Sequence, residues 1–212
     1  MPVVTSAKYR GDTLIEVLFA TAAFSLVAVG ALLIMNQGTA TAQRALEITL
    51  VRQEVDAQAE TIRFLNASYV HAYQNGVTNY PANTPAGQWQ LMQNSVKTTN
   101  ATSISSSNGG TICQTPPQGS FILNTKKATF IAPEDGKLKS AMTFSQVHYD
   151  NVNQVVSAEG LWIEAIRSTT ITGNNQDNAG YIDFYIRACW DSPGQNIPVT
   201  LDTVVRLYEP RG

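Results

Sequence analysis

Residues 11–35 read GDTLIEVLFATAAFSLVAVGALLIM, and everything else in the chain is placed by how that run is understood. From Leu14 to Met35 there are 22 residues, interrupted by one ionisable side chain, Glu16, and by a few small polar ones. As an α-helix, 22 residues rise about 33 Å, close to the roughly 30 Å hydrocarbon core of a bilayer, so the segment is long enough to span. An acid at the bilayer centre costs about 2.5–3.5 kcal/mol on insertion scales, but one at the third position of the run reaches the headgroups. Position makes Glu16 tolerable without explaining why it is there.

Lys8 and Arg10 precede the run with no acid among residues 1–11, and the first cation beyond it is Arg44. The excess of positive charge on the amino-terminal side places that end in the cytoplasm and everything after Met35 outside. Three readings fit. The first is an uncleaved single-pass anchor that carries an extracytoplasmic binding domain and does not polymerise. The second is a secretory signal peptide cut after Ala40-Thr41-Ala42, an A-x-A pattern. Against it, the apolar run is longer than the usual h-region of roughly 7–15 residues, and the tripeptide stands well beyond Met35.

The third comes from the residues around the acid. Gly11, Thr13, Leu14, Ile15, Glu16 and Val17 spell G-x-T-L-I-E-V behind a short basic leader. This resembles the processing site of type IV prepilins and pseudopilins. The resemblance implies that residues 1–11 are a leader, that a prepilin peptidase cuts between Gly11 and Asp12, and that the new amine of Asp12 is methylated. Glu16 then becomes the fifth mature residue, where the family carries its glutamate. The implied partners are other pilin subunits, the peptidase, the pilus assembly machinery, and membrane lipid before assembly. The implied destination is a cell-surface filament, of a type IV pilus or a type II secretion pseudopilus.

The chemistry gives the acid a use. When apolar helices leave the membrane and bundle in a filament core, an unpaired carboxylate becomes expensive. The nearest cation is the processed amine of a neighbouring subunit, which methylation leaves charged, and pairing the two sets axial register. The chain departs from the family at two points. Asp12 stands where a phenylalanine or methionine is usual, so the mature end carries one amine and two nearby carboxylates. Leu33 occupies the position of a helix-kinking proline, leaving Gly30 or Asn36-Gln37-Gly38 to supply a softer break. Arg10-Gly11-Asp12 also spells an integrin-binding tripeptide, a coincidence at a site facing the cytoplasm and split by the cut.

The whole chain has 212 residues, room for one membrane segment and one domain, with 14% charged residues and a net charge of −2. Removing the leader leaves 12 basic and 16 acidic side chains, net −4, and no electrostatic signal for nucleic acid. The mature length of 201 residues points to a minor pilin or pseudopilin. Cys113 and Cys189 both fall on the extracytoplasmic side, where a disulfide persists; the other reading is two buried thiols.

After Gly38 the apolar residues Ile48, Val51, Val55, Ala59, Ile62, Leu65 and Tyr69 recur at steps of three and four. They mark one face of a helix, predicted to run from Asp12 to about Tyr73. A coiled-coil seam is the alternative reading of that stripe. Residues 74–120 hold one charged side chain, Lys97, and are dense in Asn, Ser, Thr, Gly and Pro. They read mostly as loop, tacked down by Trp89, Leu91 and Met92. Asn66 and Asn100 each open an N-glycan acceptor pattern of a kind that chance readily supplies.

Residues 121–212 read as strands: Phe121–Leu123, Ala128–Ala132, Met142–Tyr149, and runs from Leu161, Tyr181 and Val199. Ile182, Phe184, Ile186 and Ala188 alternate with Tyr181, Asp183, Tyr185 and Arg187, giving one apolar and one polar face. An antiparallel sheet with one apolar face needs a cover, and the striped helix offers it. The expected fold is therefore α+β: a long amino-terminal helix, membrane-spanning in its first half, packed on an antiparallel β-sheet head.

Nothing local argues for catalysis, a cofactor or a metal. His71 and His148 lack ligands at metal-site spacing and read as a solvated helix-end histidine and a strand histidine. Asn174, Asn175, Asp177 and Asn178 offer hard oxygens but no acidic cluster or closing glutamate, and read as a hairpin tip.

Overall fold

The computed structural model describes residues 12–95, 113, 116–117, 119–132, 136–167, 180–192 and 197–210. The architecture is α+β, and the chain divides into two units, Met1–Ala45 and Leu46–Gly212. Helix α1, Asp12–Gln74, contributes its first part to one unit and its remainder to the other.

In the first unit α1 exposes its apolar side chains nearly all round: Phe24 is 75% exposed and Leu26 77%. The small polar residues bond inward to the helix itself. Thr21 Oγ1 donates to the Val17 carbonyl at 3.0 Å, and Ser25 Oγ to the Thr21 carbonyl at 2.7 Å. Such back-bonding satisfies a hydroxyl where water is absent, the requirement that a hydrocarbon environment imposes. Gly30 and Asn36-Gln37-Gly38, the positions named for a softer break, are both within the helix. A glycine costs a helix only about 1 kcal/mol against alanine, too little to interrupt a run already propagating on both sides.

In the second unit the predicted stripe is the buried face of α1. Val51, Val55, Ala59, Ile62 and Leu65 lie in the core, with Ile48 and Tyr69 packed at its margin. The helix stops in a Schellman turn: Gly76 takes φ +73°, its N–H donates to the Tyr73 carbonyl, and the Val77 N–H reaches back to the Ala72 carbonyl. Only a residue without Cβ takes that conformation freely.

Residues 74–120, expected to be mostly loop, contain helix α2, Pro85–Ser95. Thr84 caps it, its Oγ1 accepting from the Gly87 N–H at 3.1 Å, and Pro85 occupies the first helical position, where a missing N–H costs nothing. Trp89 and Met92 are buried, as expected of tacking residues, whereas Leu91 is 42% exposed.

Among the described residues the strands form three sheets instead of the single antiparallel one expected. β1 (Ile122–Asn124) and β2 (Thr129–Ile131) make a short hairpin. β3 (Leu138–Lys139), β4 (Gln146–Tyr149) and β5 (Val155–Glu159) assemble in the order β3-β5-β4, with β3 parallel to β5. β6 (Leu161–Arg167), β7 (Tyr181–Trp190) and β8 (Val199–Tyr208) form an antiparallel meander. The predicted strand from Met142 begins only at Gln146, and Met142 is exposed.

Gly160 is the corner between two of these sheets. It has φ +60°, and a Cβ there would lie 2.4 Å from the Cys189 carbonyl oxygen. Its N–H donates to the Lys139 carbonyl while its own carbonyl accepts from the Cys189 N–H. The chain therefore leaves the β5 sheet and enters the β6 sheet in one residue. The inner face of β7, with Ile182, Phe184, Ile186, Ala188 and Trp190, meets the α1 stripe in one core.

Candidate functional site

The predicted processing and assembly residues lie at the start of α1. Gly11 falls outside the described residues, and Asp12 is the first residue of the helix. Thr13, Leu14, Ile15, Glu16 and Val17 follow in its first turns, all exposed. An α-helix leaves its first four N–H groups without internal partners and carries partial positive charge there. A carboxylate in the second turn is favoured by that field. About 1.5 Å of rise per residue separates the backbone of Asp12 from that of Glu16 by one turn.

Beyond this turn the apolar side chains from Leu18 to Met35 are mostly exposed. A shallow groove follows one face, lined by Ala22, Ser25, Leu26, Val29, Gly30 and Leu33. Three of these, Ala22, Ser25 and Gly30, are small, the residue type that lets apolar helices approach closely. Among the described residues α1 is the one helix long and apolar enough to cross a membrane.

In the second unit two polar side chains, Gln58 buried and Glu47 partly so, fasten α1 to the strands. Gln58 is fully buried, and its amide bonds the Leu123 backbone twice, donating from Nε2 to the carbonyl at 2.9 Å and accepting from the N–H at 3.1 Å. It behaves as one residue of a neighbouring strand would. The Glu47 carboxylate accepts from Trp190 Nε1 at 3.1 Å and from Ser192 Oγ at 2.8 Å, fixing the end of β7. Sequence reading did not find either residue, because their partners lie far along the chain and no local pattern marks them.

Cys113 and Cys189 are disulfide-bonded, with Cα atoms 5.2 Å apart. Alternation along β7 puts Cys189 on the face opposite the core, beside Arg187 and Asp183. That face is polar as predicted but not uniformly open to water, since Asp183 and Arg187 are each 8% exposed. Both are paired: Arg206 grips Asp183 through Nε and Nη2 at 2.7 Å each, and Arg187 lies 3.4 Å from Glu164. The bidentate contact with Asp183 holds the Arg206 guanidinium above its usual range, and its Cζ lies 4.1 Å from the centre of the Tyr181 ring.

The histidines sit apart. His71, exposed in the last turn of α1, borders a groove with Phe64, Ser68 and Thr84, and His148 on β4 pairs with Glu159 at 3.5 Å. Among the described residues no three His, Cys, Asp or Glu side chains gather as metal ligands do. The asparagine-rich loop considered for calcium lies outside the described residues. Among the described residues Glu54 is the one acid whose pKa is pushed up, by burial first, with Lys126 opposing, and its Oε1 is buried without a hydrogen-bond partner.

Comparison with models of known protein families, with curated proteins and with solved structures finds no match to this chain.

Proposed function

We propose that this chain is a non-enzymatic structural subunit of a type IV pilus-like or type II secretion-like filament, a minor pilin or pseudopilin, assembled through the first half of α1. The observation that carries the reading is the G-x-T-L-I-E-V run at the point where an exposed apolar helix begins. The proposed cut falls at the first helical residue, so processing would deliver a free amine at the helix start, one turn from Glu16. The orientation argued from Lys8 and Arg10 places the cut in reach of a peptidase on the cytoplasmic side and the second unit outside.

In this scheme the membrane is the store. The Leu14–Met35 surface is solvated by lipid before assembly and by neighbouring copies afterwards, and apolar burial is similar in both. The directing term is then polar. Glu16 at the bilayer edge is hydrated, whereas in a bundle of helices it needs the amine of the next subunit, which makes incorrect registers costly.

Intact mass and amino-terminal sequencing of the protein from its native membrane test the reading. A methylated start at Asp12 is expected. A start at Met1 or Pro2 would instead identify a plain anchor carrying a binding domain, and a start at Gln43 a cleaved signal peptide; either result overturns the filament proposal.

A further inference from the structure

Among the described residues the β6-β7-β8 sheet has one edge, that of β8, with no neighbouring strand. β6 is joined to the residue preceding β1 through reciprocal bonds between Phe121 and Ile163, while β8 pairs only with β7 among the described residues. The Glu209 N–H donates to the Gly180 carbonyl, and the Cys189 N–H donates to the Gly160 carbonyl. Along an antiparallel ladder alternate residues point their backbone groups to the same side. The odd-numbered residues of β8 therefore bond β7, and the even-numbered ones, Thr200 to Tyr208, turn their N–H and C=O groups toward the open edge. These ten residues contain no proline, no glycine and no lysine, the usual devices that blunt an edge.

We propose that this edge pairs with the same edge of a second copy of the chain, antiparallel about a two-fold axis at Val204. The register follows from the strand itself. Backbone bonding requires even-numbered residues to face even-numbered ones. Centred on Val204, the pairing sets Asp202 opposite the partner copy's Arg206 at both ends of the ladder and Leu201 opposite its Leu207. A shift of two residues either way loses both opposite-charge pairs. Asp202 is exposed and makes no ion pair among the described residues. Arg206 is half exposed and binds Asp183 through Nε and Nη2, which leaves Nη1 free to donate across the junction. Val204, at the centre, is 50% exposed. Such an isologous contact uses each patch once and closes at two copies.

The inference does not rest on the filament reading, and its test separates the two. In the full-length protein in detergent, Val204→Cys should form an intermolecular disulfide under mild oxidation, because directly opposed Cα atoms of a hydrogen-bonded pair lie about 5.5 Å apart. Thr200→Cys should not, its two copies being roughly 27 Å apart in this register. Asp202→Lys in the Val204→Cys background should slow cross-linking at least about fivefold, by opposing two cations at each end. Glu16→Ala should leave the cross-link unchanged, because association through α1 does not bring position 204 to itself. Equal cross-linking at 200 and 204, no cross-link at 204, or indifference to Asp202→Lys would each overturn the proposal. Both cysteine positions are solvent-facing, so neither variant threatens the fold.

Discussion

At the scale of single residues, Glu16 and Glu54 are two acids whose environments work in opposite directions. Glu16 is exposed in the second turn of α1. In the proposed filament its effect appears only after assembly. Glu16→Ala should therefore leave membrane insertion unchanged, as judged by carbonate extraction, and reduce incorporation into sheared filaments by about tenfold or more, since breaking a buried pair costs roughly 3–5 kcal/mol. Glu54 carries its penalty in the folded monomer. Burial raises its pKa above the unfolded value, so ionisation favours the unfolded chain, and its contribution to stability is present below the unfolded pKa and lost as pH rises through the folded one. Urea titrations of the second unit within the full-length protein should show stability falling upward from about pH 4.5, and Glu54→Gln should flatten that slope. An unchanged slope would mean that Glu54 is hydrated in solution.

At the scale of elements, sequence patterns were informative in proportion to how local their causes are. The α1 stripe was legible because steps of three and four without a proline have one physical solution, and Val51, Val55, Ala59, Ile62 and Leu65 are all in the core. β7 and β8 were legible for the same reason at period two. β5 was not, since Val155-Val156-Ser157-Ala158 does not alternate and its parallel neighbour β3 lies across an intervening strand. The passage from the β5 sheet to the β6 sheet turns on Gly160, whose positive φ and close approach to Cys189 are tertiary facts that no local pattern announces. Of the candidate site, the acid and its apolar helix could be read directly, whereas Glu47 and Gln58 depend on partners distant in sequence. α2 is an intermediate case: its polar composition argued for loop, but Thr84-Pro85 is a helix-start signal that outweighed composition. Replacing Thr84 by alanine leaves the Gly87 N–H without its acceptor. The expected cost is about 1 kcal/mol of stability in the second unit, measured by urea unfolding, with faster amide exchange confined to α2.

At the scale of the whole molecule, the division into Met1–Ala45 and Leu46–Gly212 means that stability is not one quantity. Among the described residues of the first unit none belongs to the buried core, and the apolar side chains of α1 there are exposed. The second has a shared core and a disulfide that closes a separation of 76 residues. Cross-linking so distant a pair restricts the unfolded chain and stabilises by about 4 kcal/mol in the chain-entropy model, a large share of a typical domain's 5–15 kcal/mol. Cys113→Ser with Cys189→Ser should therefore lower the urea midpoint of the second unit and weaken it by roughly that amount, followed by the fluorescence of the buried Trp89, Trp162 and Trp190. Helicity from residues 12–45 should survive in detergent through the same transition, because nothing in that unit depends on the cross-link. Loss of both signals together at one midpoint would show that the units unfold as one body, and the separation of assembly helix from head would have to be abandoned.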